Sequence, residues 1–210
     1  MPSASSIAII DYDAGNLASV RRACAEVGVA AHITRDPDSL AGADRVIFPG
    51  VGAAGPAMAS IRTSGMEEAL KAFLASGRPL LGICLGMQIS LDHSEEQGTD
   101  TLGLIAGRVQ RFRFEDPSLK VPHMGWNRIH PQRAHPLLDE VEADDYFYFV
   151  HGYYPAPAHA EDVYAVARYE HDFACALGRD NYFGTQFHPE KSGRVGLRLL
   201  AAFARWDGTC

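Results

Sequence analysis

Short apolar runs alternate with segments of helical periodicity along the first half of the chain. Apolar runs typical of strands occupy residues 6–11, 31–34, 45–48 and 79–83. A helix is predicted between the first two runs, with Asn16 as its cap and Gly28 at its end. The face that this helix buries carries apolar residues at helical spacing, namely Leu17, Val20, Cys24 and Val27. A second helix is predicted over 67–75, and the alternation as a whole indicates a parallel sheet with helices on both faces.

The second half is richer in short strand patterns. The strand candidates are residues 108–114, 127–130, 146–150, 163–169, 173–178 and 182–187, with a turn over 178–181 between the last two. A closing helix is predicted over 192–206, and the segment 110–145 is expected to hold surface loops and partner contacts. The fold class predicted is α/β, an open, mostly parallel sheet with flanking helices and an added antiparallel strand region.

Length and charge narrow the classes of function. The chain has 210 residues, which indicates a single domain over residues 1–210. Acidic residues outnumber basic ones, 26 to 19, and no basic run occurs, which argues against nucleic acid and anionic membrane surfaces as partners. No apolar stretch approaches the ~20 residues of a membrane span. Because the N-terminal segment also lacks the features of a signal peptide and the four cysteines are dispersed, we expect a reduced, cytoplasmic protein.

Metal and cofactor motifs are not evident. The nine histidines form no HExxH motif and no cluster with cysteine, so neither a metal site nor a cofactor is predicted. Residues 50–55 match GxGxxG literally, but they follow the third strand and no acidic residue ends the next one, so a dinucleotide site is disfavoured. The same backbone suits an oxyanion, because consecutive amides at a strand-to-helix turn can donate to it. The alternative is a tight turn that merely needs glycine.

Residues 82–86, Gly-Ile-Cys-Leu-Gly, have the form of a nucleophile elbow with Cys84 in place of serine. An apolar strand precedes Cys84, and residues 87–91 can begin a helix whose N-terminus favours a thiolate. The alternative is a buried cysteine that only fills space between two glycines. The spacing and the preceding strand favour the nucleophile.

A thiol nucleophile needs a base, and the base needs a group that orients it. His188 ends the strand pattern 182–187, and Glu190 follows two positions later. A histidine at a strand end belongs at the same sheet edge as an elbow, and a nearby carboxylate can hold its second ring nitrogen. Alone, the pair is equally compatible with a solvated strand end. The His-x-Glu pattern of zinc deaminases is not completed, because the Pro-Cys-x-x-Cys motif is missing.

Two aromatic-rich segments complete the set of candidates. Residues 146–150 (YFYFV) are expected mainly to pack in the core, with a contact surface as the minority interpretation. Residues 121–127 (VPHMGWN) form an apolar segment in a predicted loop, and exposed Trp and Met there would suit a partner interface.

Several of these motifs together resemble the class I (triad-type) glutamine amidotransferases. The elbow continues as GICLGMQ over 82–88, and residues 187–190 are FHPE. Further segments are similar to the glutaminase subunits of imidazole glycerol phosphate synthases: DY at 11–12, GN at 15–16, PGVG at 49–52, PHMGWN at 122–127, YFVH at 148–151 and HPEKS at 188–192. PHMGWN and HPEKS distinguish these subunits from relatives that serve anthranilate, aminodeoxychorismate or pyridoxal phosphate synthesis.

The resemblance implies a role for each matching residue. It implies Cys84 as nucleophile, His188 as base and then acid, and Glu190 as the orienting carboxylate. The implied oxyanion hole consists of backbone amides, those of Val51, Gly52 and Leu85. The implied glutamine-binding residues are Gly50, Gln88, Glu96, Gly152 and Tyr153. Those implied at a partner interface are Asn16, Met124, Trp126, Tyr148 and Lys191. Gly152 is a departure, because relatives often have Ser or Thr there.

The resemblance also implies a partner. Glutamine would be hydrolysed to glutamate and ammonia, and the ammonia would pass to a cyclase subunit, a (β/α)8 barrel, in a heterodimer that makes imidazole glycerol phosphate and AICAR for histidine biosynthesis. Two alternatives stay open. A stand-alone cysteine-elbow hydrolase would show no stimulation by a cyclase, and a non-catalytic binding module would form no adduct at Cys84 with a glutamine analogue.

Overall fold

A computed structural model describes residues 6–13 and 15–209 of the chain. Its strands are β1 Ile7–Ile10, β2 Ala31–Thr34, β3 Arg45–Gly50, β4 Leu80–Cys84, β5 His93–Ser94, β6 Thr99–Asp100, β7 Gly107–Arg111, β8 His123–Asn127, β9 His130–Pro131, β10 Phe147–His151, β11 Tyr153–Pro157, β12 Val163–Tyr169, β13 His171–Arg179 and β14 Tyr182–Thr185. Its α-helices are α1 Leu17–Glu26, α2 Ala54–Thr63, α3 Met66–Ala75, α4 Leu85–Gln88 and α5 Gly193–Arg205.

The largest sheet has the strand order β2-β1-β3-β4-β14-β13-β12-β9. Its first five strands are mutually parallel, and the pairs from β14 to β9 are antiparallel. This division matches the predicted parallel sheet with an added antiparallel region. Two smaller sheets, β10-β8 and β11-β7-β5-β6, lie outside it.

The core lies on both faces of the large sheet. In β1, Ile7 and Ile9 pack into one apolar cluster, whereas Ala8 and Ile10 pack into the other, because successive side chains of a strand point to opposite faces. The first cluster includes buried residues of α1 and α5, and the second includes those of α2 and α3. Burial on both faces explains why β1 and β4, in the middle of the parallel part, are apolar throughout instead of alternating with polar residues.

Several element boundaries differ from the predictions. The strand predicted over 127–130 is wrong, because the chain forms β8 at His123–Asn127 and the short β9 at His130–Pro131 instead. The helix after the elbow begins at Leu85 and ends at Gln88, earlier and shorter than expected. Asn16 stands at the start of α1, but its side chain makes no capping hydrogen bond. The segment 110–145, expected to hold surface loops and partner contacts, also contains β8 and β9 and the end of β7.

Candidate active site

Cys84 is the last residue of β4, at the carboxyl end of the parallel sheet. Its backbone has φ 53° and ψ −107°, a conformation that a residue with a side chain rarely adopts. The neighbouring glycines make this sharp turn possible. A Cβ on Gly86 would overlap the carbonyl oxygen of Phe48, and one on Gly82 would approach the Tyr182 hydroxyl to 2.5 Å. The strand-to-helix turn therefore has the geometry of a nucleophile elbow.

His188 follows β14, the strand directly beside β4 in the sheet. Thr185 of β14 pairs in parallel with Ile83 of β4, so both strands deliver their next residues to the same edge. His188 and Glu190 are almost completely buried, with side chains 2% and 1% exposed. The Nδ1–H of His188 donates to Oε1 of Glu190 over 2.8 Å, since a carboxylate can only accept. The imidazole is thereby fixed with Nε2 as its second nitrogen.

Asn16 supports this pair from the start of α1. Its Nδ2 donates to the same Glu190 oxygen, Oε1, over 2.5 Å. Asn16 adopts a left-handed backbone conformation, with φ 73°. A residue expected at a partner interface is thus also in contact with the carboxylate that orients His188.

The electrostatics keep a proton on His188. Burial lowers the pKa of His188, but the negative charges of Cys84 and Glu190 outweigh burial and raise it to about 10. Among the described residues, Nε2 of His188 is buried without a hydrogen-bond partner. A protonated imidazole at this place suits proton delivery to a leaving group.

Gln186 also contacts the sulfur, and the sequence reasoning missed it. Its Nε2 lies 3.6 Å from Sγ of Cys84, and its Oε1 accepts from Nε2 of Gln88 over 3.0 Å. The only sequence signal is a polar residue inside the apolar pattern 182–187, a position where a side chain must find buried partners.

A cavity of about 250 Å³ opens above Cys84. It brings together most of the residues that the resemblance assigned to glutamine and to the oxyanion, which are Val51, Gly52, Leu85, Gln88, Glu96, Gly152 and Tyr153. Pro122, Val150 and His151 also line it, although no role was predicted for them. Gly50 lies behind the lining, where it pairs with Cys84 across β3 and β4.

The cavity wall contains two glycines with different surroundings and a carboxylate held by a backbone amide. Gly52 has φ 103° with open space around the position of a Cβ, whereas a Cβ on Gly50 would overlap the buried hydroxyl of Tyr12. Oε2 of Glu96 accepts from the amide of Ala54 at the start of α2, over 2.8 Å. That contact fixes the Glu96 carboxylate against the helix and leaves its other oxygen for a ligand.

The predicted interface residues lie beside the site, on the two-stranded sheet. Met124 and Trp126 of β8 are 63% and 56% exposed, which is unusual for large apolar side chains. Trp126 pairs with Tyr148 of β10, and Nζ of Lys191 lies 5.7 Å from the Tyr148 ring centre. These four residues, of which Tyr148 is half-buried, form one exposed patch next to His188, whose amide donates to the Tyr148 carbonyl, and Glu190.

A pair of buried histidines lies between β8 and β10, and one of them, His151, lines the cavity. His123 of β8 and His151 of β10 contact each other, Nδ1 to Nε2, over 3.2 Å. Burial lowers the pKa of His123 to about 4 and that of His151 to about 3. Both rings are therefore neutral at physiological pH.

Comparison with known proteins identifies the class. The family model "Glutamine amidotransferase class-I" matches residues 8–205. The solved structure of PurLQS from Thermotoga maritima superimposes with a TM-score of 0.76 at 17% identity, covering 96% of this chain and 98% of that one. A structure described as a glutamine amidotransferase superimposes with a TM-score of 0.74 at 18% identity, covering 95% and 99%. These two likenesses concern the fold, and they confirm the predicted fold class.

The relatives found by sequence have a much higher identity to this chain than these two structures do. The chain is 51% identical to "Imidazole glycerol phosphate synthase subunit HisH" of Nitratidesulfovibrio vulgaris (strain DP4), over 95% of this chain and 96% of the relative. It is 49% identical to the protein of the same name in Methylococcus capsulatus (strain Bath), over 97% of each. The chain therefore belongs to the class I glutamine amidotransferases. Within that class it groups with the HisH subunits, and the predicted glutamine amidotransferase activity is confirmed at the level of the family.

One further finding concerns membranes. Within residues 6–13 and 15–209, no helix is both long and apolar enough to cross a bilayer.

Proposed function

We propose that the chain hydrolyses glutamine with Cys84, His188 and Glu190 and delivers the ammonia to the cyclase subunit of imidazole glycerol phosphate synthase. The observation that carries this proposal is the cysteine at a strained elbow beside a buried His188–Glu190 pair, in a chain of the class I family. In this reading the ammonia serves histidine biosynthesis, and the partner is a (β/α)8 barrel in a heterodimer.

The chemistry divides into two halves. The Cys84 thiolate attacks the amide carbon of glutamine, and His188 gives its proton to the departing ammonia. Water, deprotonated by the now neutral His188, then hydrolyses the glutamyl thioester and returns the proton to the ring. The negative oxygen of each tetrahedral intermediate is to be held by the backbone amides of Val51, Gly52 and Leu85.

The far wall of the cavity is assigned to the amino-acid end of glutamine. Both N–H groups of Gln88 are used inside the protein, on Tyr153 O and on Gln186 Oε1, so its own Oε1 remains to accept from an ammonium group. The second carboxylate oxygen of Glu96 offers a charged partner for the same group. Gly152 contributes backbone only, since it lacks the hydroxyl common in relatives. Gly50 and Tyr153 complete the set of residues assigned to glutamine.

The partner is assigned to the exposed patch of Met124, Trp126, Tyr148 and Lys191, next to Asn16. Glutamine hydrolysis without an acceptor wastes ammonia, so we expect the isolated chain to be nearly silent. The Gly50–Gly52 backbone is a suitable switch, because glycines allow a peptide to rotate at little steric cost. Losing one oxyanion donor costs roughly 10²–10³ in rate, which is enough for such control. The cyclase would favour the active orientation only if it binds that state more tightly.

The test separates the two half-reactions. Cys84→Ala should abolish glutamine hydrolysis, because no other group on the cavity wall can form the thioester. The same variant, mixed with the cyclase subunit, should still support imidazole glycerol phosphate formation from ammonium salts. Glutaminase activity is measured with and without the cyclase and its ligand. Near-normal hydrolysis by Cys84→Ala would refute the mechanism, and full activity of the isolated chain, unchanged by the cyclase, would favour the stand-alone hydrolase.

A further inference from the structure

Gln186 is a fully buried amide in contact with the nucleophile, and the triad mechanism gives it no task. It follows β14, and its backbone amide donates to the carbonyl of Cys175 on β13 over 2.8 Å. Its side chain has none of its surface exposed and reaches across to β4. A buried amide needs partners for both of its ends. One end of Gln186 meets Gln88 and the other meets Cys84.

The orientation of the Gln186 amide follows from its neighbours. The carbonyl oxygen of Tyr153 can only accept, so the Gln88 atom 2.8 Å from it must be the NH₂ group. The same NH₂ group contacts Gln186 over 3.0 Å, so the atom of Gln186 that faces it must be the carbonyl oxygen. The atom of Gln186 that faces Sγ of Cys84 is therefore its NH₂ group. A single backbone carbonyl thus sets the direction of two side-chain amides in series.

We propose that Gln186 is a positioning residue for the nucleophile, whose amide N–H holds the Cys84 sulfur and stabilises its thiolate form. An N–H donor interacts more strongly with a charged acceptor than with a neutral one, so this contact favours the thiolate over the thiol. The contact approaches the sulfur from β14, and Gln88 keeps the amide from rotating. The inference rests on the proposed function of Cys84 as the nucleophile.

The test is the pH dependence of Cys84 alkylation in Gln186→Met, which has similar length but no donor. Iodoacetamide modification is followed at the peptide that contains Cys84, because Cys24 and Cys175 are also free thiols. We expect the alkylation midpoint to rise by about one pH unit, which corresponds to a tenfold smaller thiolate fraction below the midpoint. With glutamine as substrate and the cyclase subunit and its ligand present, kcat at neutral pH should fall about tenfold while KM stays within about twofold.

The matched control is Thr185→Val, one residue earlier in the chain. Thr185 is equally buried, but its hydroxyl donates to the carbonyl of Phe187 and not to the sulfur. A role of this strand end in packing alone would affect both variants, whereas a role as donor to sulfur shifts the midpoint only in Gln186→Met. Gln88→Met should shift the midpoint in the same direction by a smaller amount, because it frees the Gln186 amide to rotate.

An unchanged midpoint in Gln186→Met, or an equal shift in Thr185→Val, would overturn the proposal. If Gln186→Met does not fold, Gln186→Asn decides on the same criterion, since its amide is shorter by one methylene and withdraws from the sulfur. The readout is independent of turnover. Persistence of hydrolysis in Cys84→Ala would refute the proposed function, whereas the alkylation midpoint tests the Gln186 contact alone.

Discussion

At the scale of single residues, one carboxylate oxygen organises the general acid. Oε1 of Glu190 receives hydrogen bonds from both His188 and Asn16, while its Oε2 is buried without a partner among the described residues. Asn16 adopts an unfavourable left-handed backbone instead of capping α1 with its side chain. Strained residues persist where the surrounding structure needs them, and here the side chain that results is the second support of Glu190.

Replacement of Glu190 by Gln should shift the pH profile of the enzyme. The carboxylate favours the charged form of His188, so its removal lowers the pKa of His188, and the proton needed by the leaving ammonia is lost at a lower pH. The basic limb of kcat/KM against pH should therefore move to lower pH in Glu190→Gln. His188→Ala should lose hydrolysis about as completely as Cys84→Ala, because residues that act as one unit are not additive.

The control for this prediction is another histidine. His130 is exposed on β9, so His130→Ala should retain the parent profile. A basic limb that stays in place in Glu190→Gln, or an inactive His130→Ala beside an active His188→Ala, would contradict the assignment.

At the scale of elements, the elbow depends on how closely β3, β4 and α4 approach each other. Gly50 of β3 faces the start of α4, and a Cβ there would lie 2.9 Å from Cβ of Leu85 and would overlap the Tyr12 hydroxyl. Gly86 of α4 faces the backbone of β3, where a Cβ would overlap the Phe48 carbonyl. Gly86 is required because the backbones of α4 and β3 touch, and Gly50 is required because the Tyr12 hydroxyl and the start of α4 fill the space of a side chain, so both requirements come from neighbouring elements.

Gly50→Ala should destabilise the protein, and Tyr12→Phe should partly repair the damage. Overpacking at such a site costs about 1–3 kcal/mol in the free energy of unfolding. The hydroxyl of Tyr12 is buried without a hydrogen-bond partner among residues 6–13 and 15–209, so its removal relieves the tightest contact and leaves no partner unpaired. Urea unfolding of the single and double variants measures the recovery.

The matched comparison is Gly86→Ala, whose tightest contact is a backbone carbonyl. Tyr12→Phe should give no recovery in that background, because the phenol is not what the new methyl group meets. A double variant of Gly50→Ala and Tyr12→Phe that is no more stable than Gly50→Ala alone would show that this account of the elbow is wrong.

Elements were predictable from sequence where burial alone decides their pattern. The central strands β1 and β4 are apolar because both faces are covered, and the ends of β4 and β14 place Cys84 and His188 at one sheet edge. In contrast, β11 carries Pro155 and Pro157, which argue against a strand until the topology shows that β11 is at the edge of its sheet. Similarly, β8 exposes Met124 and Trp126, so its apolar residues do not mark a buried face. Gln186 escaped prediction because its partners depend on the adjacency of β4 and β14.

At the scale of the whole molecule, apolar packing on both faces of the sheet forces several histidines to be neutral. His135 lies among the rings of Tyr164, Phe183 and Trp206, and burial lowers its pKa to about 4. Burial lowers the pKa values of His123 and His151 in the same way. Each of these rings must gain a proton when the chain unfolds in mild acid, so each links the stability of the fold to pH.

Acidification should therefore lower the free energy of unfolding, and His135 should account for a measurable part of the loss. Between its unfolded pKa, near 6.5, and its folded pKa, about 4, the unfolded chain binds more protons, so stability falls as pH falls through this window. At pH 5 the loss attributable to one such histidine is about 2 kcal/mol relative to pH 7. His135→Phe retains a ring among the same aromatic neighbours but cannot take up the proton. Between pH 7 and pH 5 it should lose about 2 kcal/mol less of its unfolding free energy than the parent does.

The exposed His159 provides the control, because His159→Gln should keep the parent's slope of unfolding free energy against pH. Urea unfolding at several pH values measures all three, and equal slopes for His135→Phe and the parent would show that His135 is not held neutral by the core.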